Sequence, residues 1–147
     1  MSAIRNIDGP KDFIFRVLSG VAIGIVAGLV PNAILGEIFK YLMQYQPIFK
    51  TLLGVVQAIQ FTVPALIGAL IAMKFNLTPL AIAVVASASY VGSGAAQFKN
   101  GVWIIAGIGD LINTMITAAI AVLFILLIEE RVGSMALIVF PTIVGGL

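Results

Sequence analysis

The chain has 147 residues, 61% hydrophobic and 10% charged, with a net charge of +2. Soluble domains usually carry about 25% charged residues, so this composition cannot coat a water-facing surface and points to an integral membrane protein. With no His and no Cys, the chain lacks the commonest general base, metal ligand, phosphoryl acceptor and thiolate nucleophile.

Charges divide the sequence into runs of membrane-spanning length, which takes about 20 apolar residues at ~1.5 Å rise each. The first uncharged run covers residues 17–36. Three cations precede it, but it is too long for a secretory leader and no polar mature domain follows, so it is expected to be a retained helix. Gly20, Gly24 and Gly28 form a small-xxx-small stripe on this helix. Such a stripe lets another backbone approach closely, either within one protomer or between two. Pro31 and Asn32 follow in GLVPNAILG. Proline removes an amide donor and disfavours helix before it, so a helix end or an intramembrane break is expected there, with Asn32 a candidate ligand-binding residue.

Residues 37–45 (EIFKYLMQY) set Phe39, Leu42 and Met43 against Glu37, Lys40 and Gln44, the pattern of an interfacial amphipathic helix with Tyr41 and Tyr45 at headgroup level. The second run, 51–73, contains Gln57, Gln60 and Thr62 ahead of Pro64. The two glutamines share a helical face and are read first as polar ties between helices. The third run, 75–98, is plainly apolar to residue 86. It then turns small and polar in SASYVGSGAAQFKN (87–100). Glycines around Ser93 can bring backbone close to a ligand. That makes this stretch either a re-entrant or broken segment of the kind found at transporter sites, or an ordinary outside loop flanked by Tyr90 and Trp103.

The fourth run, 101–128, carries one charge, Asp110. A carboxylate inside a membrane must find a partner, line a water-filled path or take up a proton. Asn113 lies at i+3 and is expected on the same side. A last apolar run, 135–147, is too short to cross by itself. The expected fold class is therefore all-α: a polytopic membrane protein of four to five transmembrane helices with a re-entrant or broken segment near residues 87–100. An N-terminus inside puts Arg5, Lys11, Arg16, Lys74 and Arg131 on the cytoplasmic side and Lys40, Lys50 and Lys99 outside, which is the majority the positive-inside rule asks for. The short likeness between IVAG (25–28) and IIAG (104–107) is too slight to establish a repeat.

The runs GVAIGIVAGLVPNAILGEIFK (20–40) and GSGAAQFKNGVWIIAGIGDLINTMITAAIAVL (92–123) resemble EIIC-type membrane proteins of the bacterial phosphotransferase system. Within that family they resemble the branch named for perfringolysin-type toxin regulators. The resemblance implies a single integral-membrane domain over residues 1–147, the N-terminal part of a larger EIIC-like domain cut within its fifth hydrophobic segment. It also implies a bacterial plasma membrane location, sugar translocation, EIIA- and EIIB-type phosphocarrier partners and a homodimer. Without His or Cys, this chain itself is expected to be the permease part and not an enzyme, with no cofactor, no metal and no nucleic-acid partner. Sugar hydroxyls suit Asp, Asn and Gln donors and acceptors, so the expected substrate-binding set is Asp110, Asn113, Gln97, Ser93 and Asn32, with Tyr90 or Trp103 for stacking. Two other readings stay open: a proton- or cation-coupled transporter with Asp110 as the coupling group, and a membrane sensor that transports nothing.

Overall fold

A computed structural model describes residues 9–132, with side-chain surroundings as far as Leu127. The apolar run 135–147 lies outside the described residues. Six helical segments and one β-hairpin follow in order: α1 (Pro10–Gly28), α2 (Val30–Leu42), α3 (Ile48–Gln60), α4 (Val63–Lys74), α5 (Pro79–Gly92), β1 (Ala96–Lys99), β2 (Val102–Ile105) and α6 (Leu111–Val132).

Pro31 does not end the first helix. Helical hydrogen bonding runs through the joint, with Leu29 N–H on Ile25 O at 2.9 Å and Ala33 N–H on Leu29 O at 2.8 Å. The Asn32 carboxamide also donates to Gly28 O at 2.7 Å. α1 and α2 thus form one rod, Pro10–Leu42, long and apolar enough to cross a membrane. α3 and α4 make a second rod, bent by 42°. Its break lies at Phe61 and Thr62, where the Thr62 hydroxyl donates to Ile59 O at 2.7 Å and Pro64 supplies no amide.

The two rods run antiparallel, α1 against α4 and α2 against α3. α5 packs on α4, and α6 closes against both. The body of the protein is therefore α1, α4, α5 and α6, with α2–α3 as an arm. Arg16 Nη1 donates to Lys74 O at 3.2 Å and the Phe13 and Phe75 rings meet at 5.0 Å, tying the start of α1 to the end of α4. Arg16, Lys74 and the salt-bridged Asp12 mark this end. The opposite end carries Asp110, Gln97 and Lys99.

Inside the body, neighbouring helices meet at glycine. A Cβ placed on Gly20 would lie 2.6 Å from Ile71 Cα, and one on Gly24 would lie 2.5 Å from Ile67 Cγ1. Gly28 abuts Val63 and Leu66, Gly68 of α4 abuts Ser89 of α5, and Gly92 of α5 abuts Thr117 of α6. The stripe Gly20–Gly24–Gly28 is thus filled from within the same chain by α4. Val63, Ile67, Ile71, Val85, Val122 and Ile125 complete the core. Buried hydroxyls are satisfied by their own helices: Ser89 donates to Val85 O and Thr114 to Asp110 O, both at 2.7 Å. Phe15, Leu18, Ile116, Ile120 and Leu127 face outward, an apolar exterior suited to lipid.

The chain leaves the helix within residues 87–100, as the broken-segment reading expects, whereas the run 101–128 is helical only from Leu111. α5 stops at Gly92, and residues 96–105 form an antiparallel hairpin pairing Ala96 with Ile105 and Phe98 with Trp103. The cause is local. Asn100 and Gly101 both adopt positive φ (53° and 79°), the two-residue turn that Asn-Gly favours between strands, and Val102–Ile105 (VWII) is rich in β-branched and aromatic residues. Gly107 and Gly109 also have positive φ, so α6 begins only at Leu111. Helix dominates, as expected of an all-α membrane protein, with this one short hairpin inserted between α5 and α6.

Gly24→Leu is expected to destabilise the protein by about 1–3 kcal/mol or more through overpacking, lowering the midpoint of thermal unfolding in detergent. Gly54 of α3 has open space around it, so Gly54→Ala should hold or raise that midpoint, by up to ~1 kcal/mol. Equal midpoints for Gly24→Leu and the parent would contradict the close α1–α4 contact.

Candidate functional site

Asn32, Gly36, Glu37 and Lys40 lie on one face of α2, at helical i, i+4, i+5 and i+8. Leu53, Val56, Gln57 and Gln60 form the facing strip of α3. Together with Ala33 they line a cleft of about 200 Å³. Gly36 keeps its floor open: a Cβ there would reach Leu53 and Val56 only at 3.9 and 4.0 Å. At the rim, Lys40 Nζ meets Glu37 Oε1 at 2.8 Å, the two side chains 53% and 74% exposed. Exposed pairs of this kind are worth well under about 1 kcal/mol, so a ligand can open the pair cheaply. Asn32 is buried and its amide nitrogen donates to Gly28 O, leaving its second N–H and its oxygen without a partner among the described residues. The Gln57 and Gln60 carboxamides make no hydrogen bond among the described residues, so they do not act there as the helix–helix ties expected of them.

The other expected site residues gather at the junction of α5, the hairpin and α6. Asp110 is not deep in a helix. It is exposed and caps the start of α6, its Oδ1 accepting from Ile112 N–H at 2.8 Å and Asn113 N–H at 3.2 Å. A carboxylate is favoured there because the first turn of a helix presents unpaired amides and the positive end of its dipole. The Asp110–Asn113 relation is therefore side chain to backbone, with the Asn113 carboxamide exposed beside it. Ser93 is buried and its hydroxyl is spent locally, donating to Tyr90 O at 2.7 Å and accepting from Ala95 N–H at 3.1 Å. Its carbonyl takes the Asp110 amide at 2.8 Å, locking α5 to α6. Gln97 Nε2 donates to Gly94 O at 3.2 Å. Ser93, Gln97, Asp110 and Asn113 are thus brought together. Asn32 belongs to the α2–α3 cleft, whose lining takes nothing from α5, the hairpin or α6. Trp103 stacks on Phe98 at 5.4 Å and lines neither group. The described residues contain no cluster of three or more Asp, Glu, His or Cys that would hold a metal.

A family model described as Phosphotransferase system, EIIC matches residues 15–147. The chain belongs to the phosphotransferase-system EIIC family. No curated protein and no solved structure matches it. EIIC domains are the membrane-embedded permease part of phosphotransferase sugar uptake, distinct from the EIIA and EIIB components that carry the phosphoryl group. The apolar exterior of this EIIC body and its absence of His and Cys accord with that division of labour.

Sequence reasoning passed over Gly36, Glu37 and Lys40 as cleft residues, although positions 32, 36 and 40 repeat at i+4 and so share one helix face. What sequence could not supply was the pairing of that face with Gln57 and Gln60.

If Asp110 acts as a cap, Asp110→Ala should cost about 0.5–2 kcal/mol of stability, whereas Asp110→Asn or Asp110→Ser should cost only a few tenths. Thermal unfolding of the three variants in one detergent measures the order. Equal losses for Ala and Asn would argue against capping.

Proposed function

We propose that this EIIC domain handles its sugar-like solute at the polar end of the body. The α2–α3 cleft would supply the principal contacts, and Gln97, Asp110 and Asn113 would line the approach. Ser93 would hold the junction in shape, its hydroxyl being already engaged. The observation that carries this reading is the convergence of three carboxamides, Asn32, Gln57 and Gln60, on one cleft, with the two glutamines unpaired among the described residues. Carboxamides offer a donor and an acceptor side by side, matching the hydroxyls of a sugar or polyol. At about 200 Å³ the cleft is smaller than the roughly 300–1,000 Å³ of pockets that bury a whole ligand. It would therefore grip one edge of a monosaccharide, with the rest of the solute facing the exposed Glu37–Lys40 rim.

Lys11, Arg16, Lys74 and Arg131 on one side, against Lys40, Lys50 and Lys99 on the other, support an inward N-terminus by the positive-inside rule. The solute end of the body would then face outward, where uptake begins. Phosphorylation would be left to EIIA- and EIIB-type partners on the other side.

Uptake of a panel of labelled hexoses and hexitols, by cells carrying the full-length gene and its phosphocarrier partners, tests the site. Gln57→Leu or Gln60→Leu should raise the half-saturating concentration about tenfold, the worth of a ~1.5 kcal/mol hydrogen bond, with membrane abundance unchanged. Asp110→Asn keeps the cap. Reduced uptake in that variant would assign Asp110 to the solute path, and unchanged uptake would leave it a cap alone. Parental uptake in both glutamine variants would sink the cleft assignment.

A further inference from the structure

The β1–β2 hairpin plays no part in the cleft, and only one of its faces carries aromatic rings. Its register alternates side chains across the ribbon. Ala96, Phe98, Trp103 and Ile105 fall on one face, and Gln97, Lys99, Val102 and Ile104 on the other. Phe98, Trp103 and Ile105 are each 60–65% exposed and Lys99 is exposed at the turn. An apolar sheet face built around an aromatic pair is thus left uncovered, and the opposite face carries Lys99 at the turn with the exposed Val102 and Ile104.

Two physical limits fix what can cover it. A two-stranded ribbon has two open edges, and each unpaired backbone group in hydrocarbon costs several kcal/mol, so the hairpin cannot sit in the bilayer core. In bulk water a two-stranded hairpin is marginal, and this one would expose Phe, Trp and Ile together. The membrane–water interface meets both conditions, because water reaches the edges while the aromatic rings enter the acyl boundary. The height of the hairpin agrees. It is rooted where Ser93 O binds the Asp110 amide, at the start of α6. From Leu111 to residue 128 that helix carries no charge, giving ~27 Å at 1.5 Å per residue against a hydrocarbon thickness of about 30 Å. The root of the hairpin thus stands one hydrocarbon thickness from Glu129, at headgroup level.

We propose that the hairpin is a lipid-interface anchor: the Ala96–Phe98–Trp103–Ile105 face seats in the headgroup–acyl boundary, and Lys99 pairs with the headgroup of a net-anionic bilayer lipid. Its occupant is the membrane surface, not a partner strand and not the solute. An anchor here would hold the α5–α6 junction, and with it Asp110 and Gln97, at a constant depth.

Trp103 is the single tryptophan of the chain, so its fluorescence reports on the hairpin alone. The purified full chain is placed in nanodiscs whose phosphatidylcholine carries spin labels either near the headgroup or deep in the acyl chain. The expected result is emission shifted to the blue of free tryptophanamide, quenching that is stronger from the shallow label than from the deep one, and weak quenching by acrylamide. In discs enriched in phosphatidylglycerol, Lys99→Glu should lose part of the shallow-label quenching, with little change in purely zwitterionic discs. Strongest quenching from the deep label would overturn the proposal by placing the ribbon in the core. Blue emission indifferent to either label would also overturn it, showing protein cover such as a strand added from a second copy. So would red emission open to acrylamide. Identical behaviour of Lys99→Glu in both lipids would remove the pairing with an anionic headgroup.

Discussion

The helices of this protein hold together by close backbone approach at glycine, and most other features depend on that contact. Lipid tails are as apolar as Ile or Val, so the hydrophobic effect does little to bring two membrane helices together and van der Waals packing must. Glycines at 20, 24 and 28 bring α1 onto Ile71, Ile67 and Val63 of α4. Gly68 repeats the device between α4 and α5, and Gly92 between α5 and α6. The buried hydroxyls of Ser89 and Thr114 turn back onto carbonyls of their own segments, so they tie no helices together. The body is a set of surfaces fitted at small residues, and it leaves its large side chains free to face lipid.

That fit also explains why the arm differs from the body. Beyond Gly28 the first rod has Gly36 as its only further glycine before the turn, and there the nearest α3 side-chain atoms stand back by 3.9 Å or more. The rods remain adjacent but part slightly, and polar side chains take the space. At this level the first rod runs on through the Leu29 joint and Pro31, while the second is broken at Phe61–Thr62 before Pro64. Gly28 touches Val63 and Leu66, so the joint of the first rod lies beside the break in the second. The cleft begins where tight packing stops, and the bend in the second rod helps keep α2 and α3 from closing over it.

Much of this was legible in the sequence, and the remainder failed for identifiable reasons. Uncharged runs and proline positions located the helices, and the glycine stripe could be read as a packing face, though not which helix would fill it. The hairpin was missed because GVWIIAGIG is as apolar as a helix, and periodicity cannot separate the two in so short a run. The Asn100-Gly101 pair was the available signal. Among the site residues, Ser93, Gln97, Asp110 and Asn113 are grouped in space as well as in sequence, which short-range spacing can show. Asn32 belongs elsewhere, with glutamines 25 and more residues downstream, because pairing between distant segments is set by packing that one sequence does not display.

Asp110 shows how a single shift in helix boundary changes the meaning of a charge. Placed in the middle of a helix running from residue 101, it would be a costly buried carboxylate calling for a proton or a counter-ion. Placed just before Leu111, it answers the unpaired amides of Ile112 and Asn113, and its own amide locks onto Ser93 O. The same boundary leaves α6 with a charge-free length close to the hydrocarbon thickness. One carboxylate therefore ends the helix chemically and marks its depth physically. What the cap leaves unused is the second carboxylate oxygen, beside the exposed Asn113 carboxamide.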